Sequence, residues 1–405
     1  MSSICLNMIV KNESAIIAAT LKNIVQHIPI SCWVISDTGS SDNTCDIIRH
    51  FFGEAGIEGE LYQDEWVDFA HNRNLALQRC HGKSDYVLFF DADDFFEGEV
   101  NHKELTHHSY FMNMCDESKT TYYLRKLLIK NDPRFKWRGV LHEFIEDPVK
   151  DTGTLCGDYR VISGRKGARS QEKDKYLRDA AVLQSAYQKA ADPDLQPRYA
   201  FYCAQSYHDA ALYDEDNRQQ LYRNALHWYK VRLTEQGFSE EKYYSLLRIG
   251  LLYERLADIP AAIPFLLEAF QENPLRTESL YHLARIYNHL EKHHLAYQFA
   301  LMAKKVKIPE GNFLFVNHDI YHFWIDYELM INAFKVKDFS ASYVYARKLL
   351  LEDRNENMAV RAIAVLRDLP VNLQSDSLRN KKLLRLRLDK YSQQAHVAEL
   401  LSLLS

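Results

Sequence analysis

Long apolar runs are missing from this chain of 405 residues. No stretch reaches the roughly 18 to 20 residues needed to cross a bilayer, and the N-terminus enters a strand-like segment without the pattern of a secretory leader. Excess positive charge is also missing: 50 Lys and Arg face 55 Asp and Glu, a net charge of -5, which argues against a dedicated nucleic-acid binder. The seven cysteines, Cys5, Cys32, Cys45, Cys80, Cys115, Cys156 and Cys203, show no C-x-x-C spacing and read as reduced, mostly buried thiols of a cytoplasmic protein. There is no Gly-x-x-x-x-Gly-Lys-Ser/Thr and no Gly-x-Gly-x-x-Gly, so the P-loop and dinucleotide-binding folds lose their main sequence support. Glycine itself nearly vanishes beyond Gln171.

What is present is concentrated in the first 145 residues. The run Tyr86-Val87-Leu88-Phe89-Phe90 ends in Asp91-Ala92-Asp93-Asp94. Carboxylates packed this closely repel one another, and a hard divalent cation or a set of donors at the strand's exit would neutralise them. An acid-rich turn that only caps a helix is the plainer reading of the same residues. Two strand-loop-helix units precede it: Ile4 to Val10 breaking into Lys11-Asn12-Glu13-Ser14, and Cys32 to Ser36 followed by Asp37-Thr38-Gly39-Ser40-Ser41-Asp42-Asn43-Thr44. Ser41 or Asp42 is expected to cap the second helix. Asp37, on the last residue of a parallel strand, sits where open α/β sheets place ligands and is suited to a ribose hydroxyl or a base N–H. A third helix opens with Asp68-Phe69-Ala70-His71-Asn72-Arg73-Asn74, where Arg73 suits a diphosphate or simply pairs with Asp68.

Taken in order, V-K-N-E-S, D-T-G-S-S-D-N-T, D-F-A-H-N-R-N and F-F-D-A-D-D resemble the family 2 nucleotide-sugar glycosyltransferases over about residues 1–165. The resemblance implies a Rossmann-like α/β GT-A fold in which these segments surround a nucleoside, its diphosphate and a divalent cation, Mn²⁺ or Mg²⁺. Carried over by position, it implies donor contacts from Asn12, Glu13, Asp37, Arg73 and Asp91, metal binding by Asp91 and Asp93, and transfer with inversion from a donor that is most simply a UDP-sugar.

A fifth segment, Trp137-Arg138-Gly139-Val140-Leu141-His142-Glu143, resembles the W-x-G-x-x-H-E of a bacterial subgroup that includes cell-surface glycan and peptide S-glycosylating enzymes. His142 is a candidate third metal ligand. Glu143 is a candidate general base or a group that orients His142. The family's usual acidic base motif has no unambiguous counterpart, which leaves Asp94 and Glu97 behind Glu143 as bases. The stretch Gly164-Arg165-Lys166-Gly167-Ala168-Arg169-Ser170 either folds over a bound diphosphate, with Arg169 among its contacts, or is a solvated linker.

Beyond it the residues recur at helical spacing. Gly250, Tyr253, Ala262, Leu266, Ala269 and Pro274 fit a tetratricopeptide repeat, and one period of about 34 residues later come Ala284, Tyr287, Ala296 and Ala303. An earlier unit surrounds Ala204, Tyr207 and Ala225, and later helices are expected at about 320–336 and 340–352. The expected organisation is therefore a transferase domain over 1–165, a linker and first helix over 166–195, and an all-α tetratricopeptide-like solenoid over 196–405. Stacked repeats offer an extended concave surface, so a protein or peptide acceptor is expected. A transferase of cell-surface glycans and a repeat scaffold with an inactive domain are the alternatives.

Overall fold

The apolar runs of the N-terminal half form the centre of one mixed sheet. The computed structural model describes residues 2–102, 104–164, 167, 174–190, 192–311, 313–352, 356–370 and 390. Parallel strands β1 (Ile4–Val10), β2 (Cys32–Asp37) and β4 (Tyr86–Phe89) are buried on both faces, which is why they are nearly continuous apolar runs. With β3 (Gly59–Gln63) they lie in the order β3-β2-β1-β4. The connecting helices are α1 (Ile17–His27), α2 (Thr44–Ala55) and α3 (Phe69–Gln78). Ile17, Leu21 and Ile24 of α1 recur at helical spacing and are fully buried, each such side chain contributing about 1.5–3 kcal/mol. Gly56 ends α2 in the left-handed conformation, at φ 64°.

Strands β5 (Phe95–Asn101), β6 (Ser109–Asp116), β7 (Thr121–Lys130), β8 (Lys136–Arg138), β9 (Phe144–Glu146), β10 (Thr152–Thr154) and β11 (Cys156–Ser163) follow. The sheet continues as β4-β7-β6-β11-β5, with β7 antiparallel to both of its neighbours and β10 beside β6, while β8 and β9 pair separately. The register puts Val10 opposite Asp37 and Asp37 opposite Gln63, so three loops leave the sheet at one edge. The chain crosses to opposite sides of β1 to reach β2 and β4, and the crevice outside the carboxyl ends at such a reversal is where open α/β sheets hold ligands.

Helices account for the rest: α4 (Lys175–Lys189), α5 (Gln196–Tyr213), α6 (Arg218–Thr234), α7 (Ser239–Arg255), α8 (Ile259–Glu272), α9 (Glu278–His289), α10 (His293–Lys305), α11 (Ile325–Lys335), α12 (Phe339–Glu352) and α13 (Glu356–Asp368). The chain falls into two compact units, residues 1–245 with 311–316, and 246–310 with 317–405. The division runs through α7, so α4, α5 and α6 cluster with the sheet, well past the change of composition near Gln171.

In the second unit the repeat positions do what their sizes suggest. Ala262, Leu266, Ala269, Ala284, Ala296 and Ala303 are completely buried, and a Cβ placed on Gly250 would come within 2.7 Å of Leu266. The helix expected at 320–336 opens instead with a π-helical turn, Ile320–Trp324, before α11 begins. Phe323, Met330, Ala346, Leu350, Ala359 and Ile363 then join α11, α12 and α13 in one apolar core. Among the described residues, no helix is long and apolar enough to cross a membrane, and none of the seven cysteines is disulfide-bonded.

Candidate active site

The hydroxyl- and amide-rich loops at the sheet's carboxyl edge are laced to one another. Asn12, at φ 57°, accepts the Ser41 N–H on its Oδ1 at 2.8 Å and donates its own N–H to Ser40 Oγ at 2.8 Å. Asn tolerates that left-handed conformation better than most residues. Glu13 N–H reaches Thr44 Oγ1 at 2.8 Å and Ser14 N–H reaches Asp42 at 3.1 Å, while Asp42 also accepts the Thr44 N–H at the start of α2. Asp37 is 1 % exposed, and its carboxylate accepts the backbone N–H groups of Gly39 and Ser40. It therefore shapes its own turn.

The D-F-A-H-N-R-N segment organises a second layer. Asp68 caps α3, accepting the His71 N–H at 2.8 Å. Asn72 holds the preceding loop through Glu65 O and Val67 N–H. Asn74 grips the W-x-G-x-x-H-E segment, donating to Trp137 O at 2.9 Å and accepting Trp137 N–H at 2.8 Å. Gly139, at φ 104°, lets that segment turn back on itself in a backbone conformation that residues with a side chain rarely adopt.

Between these layers lies a closed charge network. Arg73 is 3 % exposed and stands over the Trp137 ring, donating Nε–H to Glu143 Oε1 at 2.6 Å and a terminal N–H to Asp91 Oδ1 at 2.5 Å. Arg125 of β7 donates to the other Asp91 oxygen at 2.6 Å and approaches Glu143 Oε1 at 3.8 Å. Burial opposes the charge on Asp91, but Arg125 and Arg73 outweigh it and hold this carboxyl below the usual range. The expected alternative, an exposed Arg73–Asp68 pair, is not formed: the arginine turns inward. Arg125 is the site residue that sequence reasoning missed, being one basic residue on a strand with nothing local to distinguish it.

The next two acids behave differently. Burial, and then the neighbouring Asp91 charge, push both Asp93 and Asp94 above the ordinary carboxylate value. Asp93 accepts the Gly167 N–H and Asp94 the Gly164 N–H, each at 3.2 Å, and the other Asp94 oxygen is buried with no hydrogen-bond partner among the described residues. A pair of buried acids fits a hard cation, which often takes one or two carboxylates and completes its shell with phosphate oxygens and water. The three ligands expected from sequence are not gathered: among the described residues no group of three or more His, Cys, Asp or Glu side chains converges as a metal site. Asp91 is committed to two arginines, and the exposed His142, at φ 52°, stacks on Tyr202 with ring centroids 4.0 Å apart. Glu97 pairs with Lys119 at 2.7 Å on the surface. Arg169 lies outside the described residues.

Residues 5–108 match the family described as Glycosyl transferase family 2. No curated protein matches the chain. Among solved structures, it is similar to TarS 1-349 of S. aureus in complex with UDP-GlcNAc, with 14% identity over 67% of this chain and 92% of that one, TM-score 0.34. A tetratricopeptide repeat protein from Parabacteroides merdae matches with 17% identity over 57% of this chain and 93% of its own, TM-score 0.34. MamA matches with 16% identity, 45% and 92% coverage and TM-score 0.33.

Proposed function

Given that this chain carries a glycosyl transferase family 2 domain, we propose that it moves a sugar from a UDP-sugar to a protein or peptide acceptor, inverting the anomeric carbon and depending on a divalent cation. The observation that carries the reading is the Arg73–Asp91–Arg125–Glu143 network beside the Asp93–Asp94 pair, at the crevice where the matched family segments meet.

In this reading Arg125, whose side chain is 27% exposed, is the arginine that a diphosphate reaches first. Phosphate oxygens compete with Asp91 for its guanidinium, and a bidentate arginine–phosphate pair suits that exchange. As phosphate draws on Arg125 and Arg73, Glu143 loses part of its compensating charge. Oε1 of Glu143 stays fixed by Arg73, which leaves Oε2 to take the acceptor's proton. The acceptor oxygen, nitrogen or sulfur then bonds to the anomeric carbon, the bond from that carbon to the diphosphate breaks, and the leaving group departs with the electron pair. Asp93, with Asp94 behind it, would hold a cation, which when bound offsets negative charge on the leaving diphosphate. Asp94 is 2 % exposed and acts from behind the site rather than on the acceptor.

The repeat unit supports the choice of a peptide acceptor, because stacked helices offer more surface than a single sugar needs. Incubation with UDP- and GDP-sugars, with peptides and with glycans tests the whole reading. One donor should lose its sugar to a peptide, and transfer to glycans alone would replace the acceptor assignment.

A further inference from the structure

A cavity of 410 Å³ opens beside the carboxyl ends of β1 and β2, with Asn12 and Thr38 on one wall. That volume is in the usual range for a small-molecule site of roughly 300–1,000 Å³. Another part of its lining lies outside the stretch that matches the transferase family. It is α4, which begins at Lys175 and turns Lys175, Arg178 and Val182 toward the cavity. Lys175 and Arg178 are three residues apart and so lie on one helix face.

The remaining side carries an aromatic surface. Trp66 is 44% exposed and is held edge-on by Phe69, with ring centroids 4.7 Å apart, while Asn72 fixes the loop beneath it. An exposed indole and the cations Lys175, Arg178 and Lys11, set among the acids Glu13, Asp68 and Asp179, line one cavity; the indole and the cations match the parts of a nucleoside diphosphate, a flat base that stacks and a pair of phosphates that needs positive charge.

We propose that α4 is part of the donor site, with Lys175 and Arg178 binding the diphosphate and Trp66 stacking on the base. The inference rests on the donor reading above and adds to it the first helix after the segment expected to form the transferase domain. It also predicts that the transferase region cannot be trimmed at residue 165 without loss of nucleotide affinity.

Calorimetry on the full chain in the presence of Mn²⁺ or Mg²⁺ tests this, using UDP and GDP, each against its nucleoside. Wild type should bind one diphosphate at least tenfold more tightly than the matching nucleoside. The K175A/R178A double variant should lose at least tenfold in diphosphate affinity and keep its nucleoside affinity, which also reports that the site is folded. K175R/R178K should retain most of the diphosphate affinity, and W66A should weaken diphosphate and nucleoside alike. Unchanged diphosphate affinity in the double alanine variant would overturn the assignment while leaving the donor reading in place. Wild type that binds neither nucleotide nor nucleoside would overturn the donor reading itself.

Discussion

The Asn74 side chain and the Trp137 backbone exchange two hydrogen bonds, at 2.9 and 2.8 Å, across 63 residues of sequence. This amide joins α3 to β8 and so sets the distance over which Arg73 meets Glu143. Asn74→Ala strands a backbone N–H and a carbonyl and should cost about 1–3 kcal/mol. Asn74→Asp keeps the acceptor and loses the donor, and should fall between. Urea unfolding combined with donor turnover checks this: turnover should fall in step with loss of the pair, and an alanine variant with unaltered stability and turnover would contradict it.

The two arginines of the site should separate on mutation. Arg73 is buried between Asp91 and Glu143, so Arg73→Ala leaves two acids without their nearest counter-charge and should destabilise the protein by about 3–5 kcal/mol. Arg125 is partly exposed, and Arg125→Ala should cost much less stability while weakening donor binding at least tenfold. Melting temperatures beside nucleotide affinities provide the comparison. Equal loss of stability in both variants would contradict the assignment of Arg125 to the donor.

Much of this arrangement was legible in the sequence, because it depends on short-range patterns. Apolar runs ending in polar loops marked β1, β2 and β4, and Asp68 announced the start of α3. The repeat alanines and Gly250 marked the close helix contacts of the second unit. The partners within the site were not legible. Nothing local says that Arg73 turns toward Glu143 rather than Asp68, that Arg125 of β7 reaches Asp91, or that Asn74 finds Trp137; each depends on strand order. Asp37 sits at the expected edge, yet its carboxylate is used by the N–H groups of Gly39 and Ser40, a local competition common to Asp in turns. The π-helical turn before α11 likewise has no counterpart in the apolar periodicity.

Glu328 of α11 gives the second unit a pH dependence. Burial raises its pKa to about 7, with Asn288 and Asn332 donating to its Oε2 at 3.1 Å. An acid whose folded value is raised binds more protons folded than unfolded, so its contribution is full below its ordinary value of 4.5 and is lost as pH climbs through about 7. Glu328→Gln should match wild type at pH 4.5 and exceed it by about 1–3 kcal/mol at pH 8.5. Denaturant midpoints across that range test it, and parallel curves for the two proteins would contradict it.

Gly250 is a packing requirement. Alanine would gain about 1 kcal/mol of helix propensity, but its Cβ would sit 2.7 Å from Leu266 Cγ and Cδ2, and such overpacking costs about 1–3 kcal/mol. Gly250→Ala should therefore destabilise, Leu266→Ala should leave a cavity, and the double variant should lose less than the sum of the two. Additive losses in a double-mutant cycle would show that the two positions do not compete for the same space.

Donor binding bears most directly on the central claim. Titration of wild type and Asp93→Ala with UDP- and GDP-sugars, in Mn²⁺ or Mg²⁺ and again in chelator, should find one donor bound by wild type. That affinity should fall at least tenfold on chelation and be equally low in the variant with or without metal. Wild type that binds no nucleotide-sugar under any of these conditions would contradict the account.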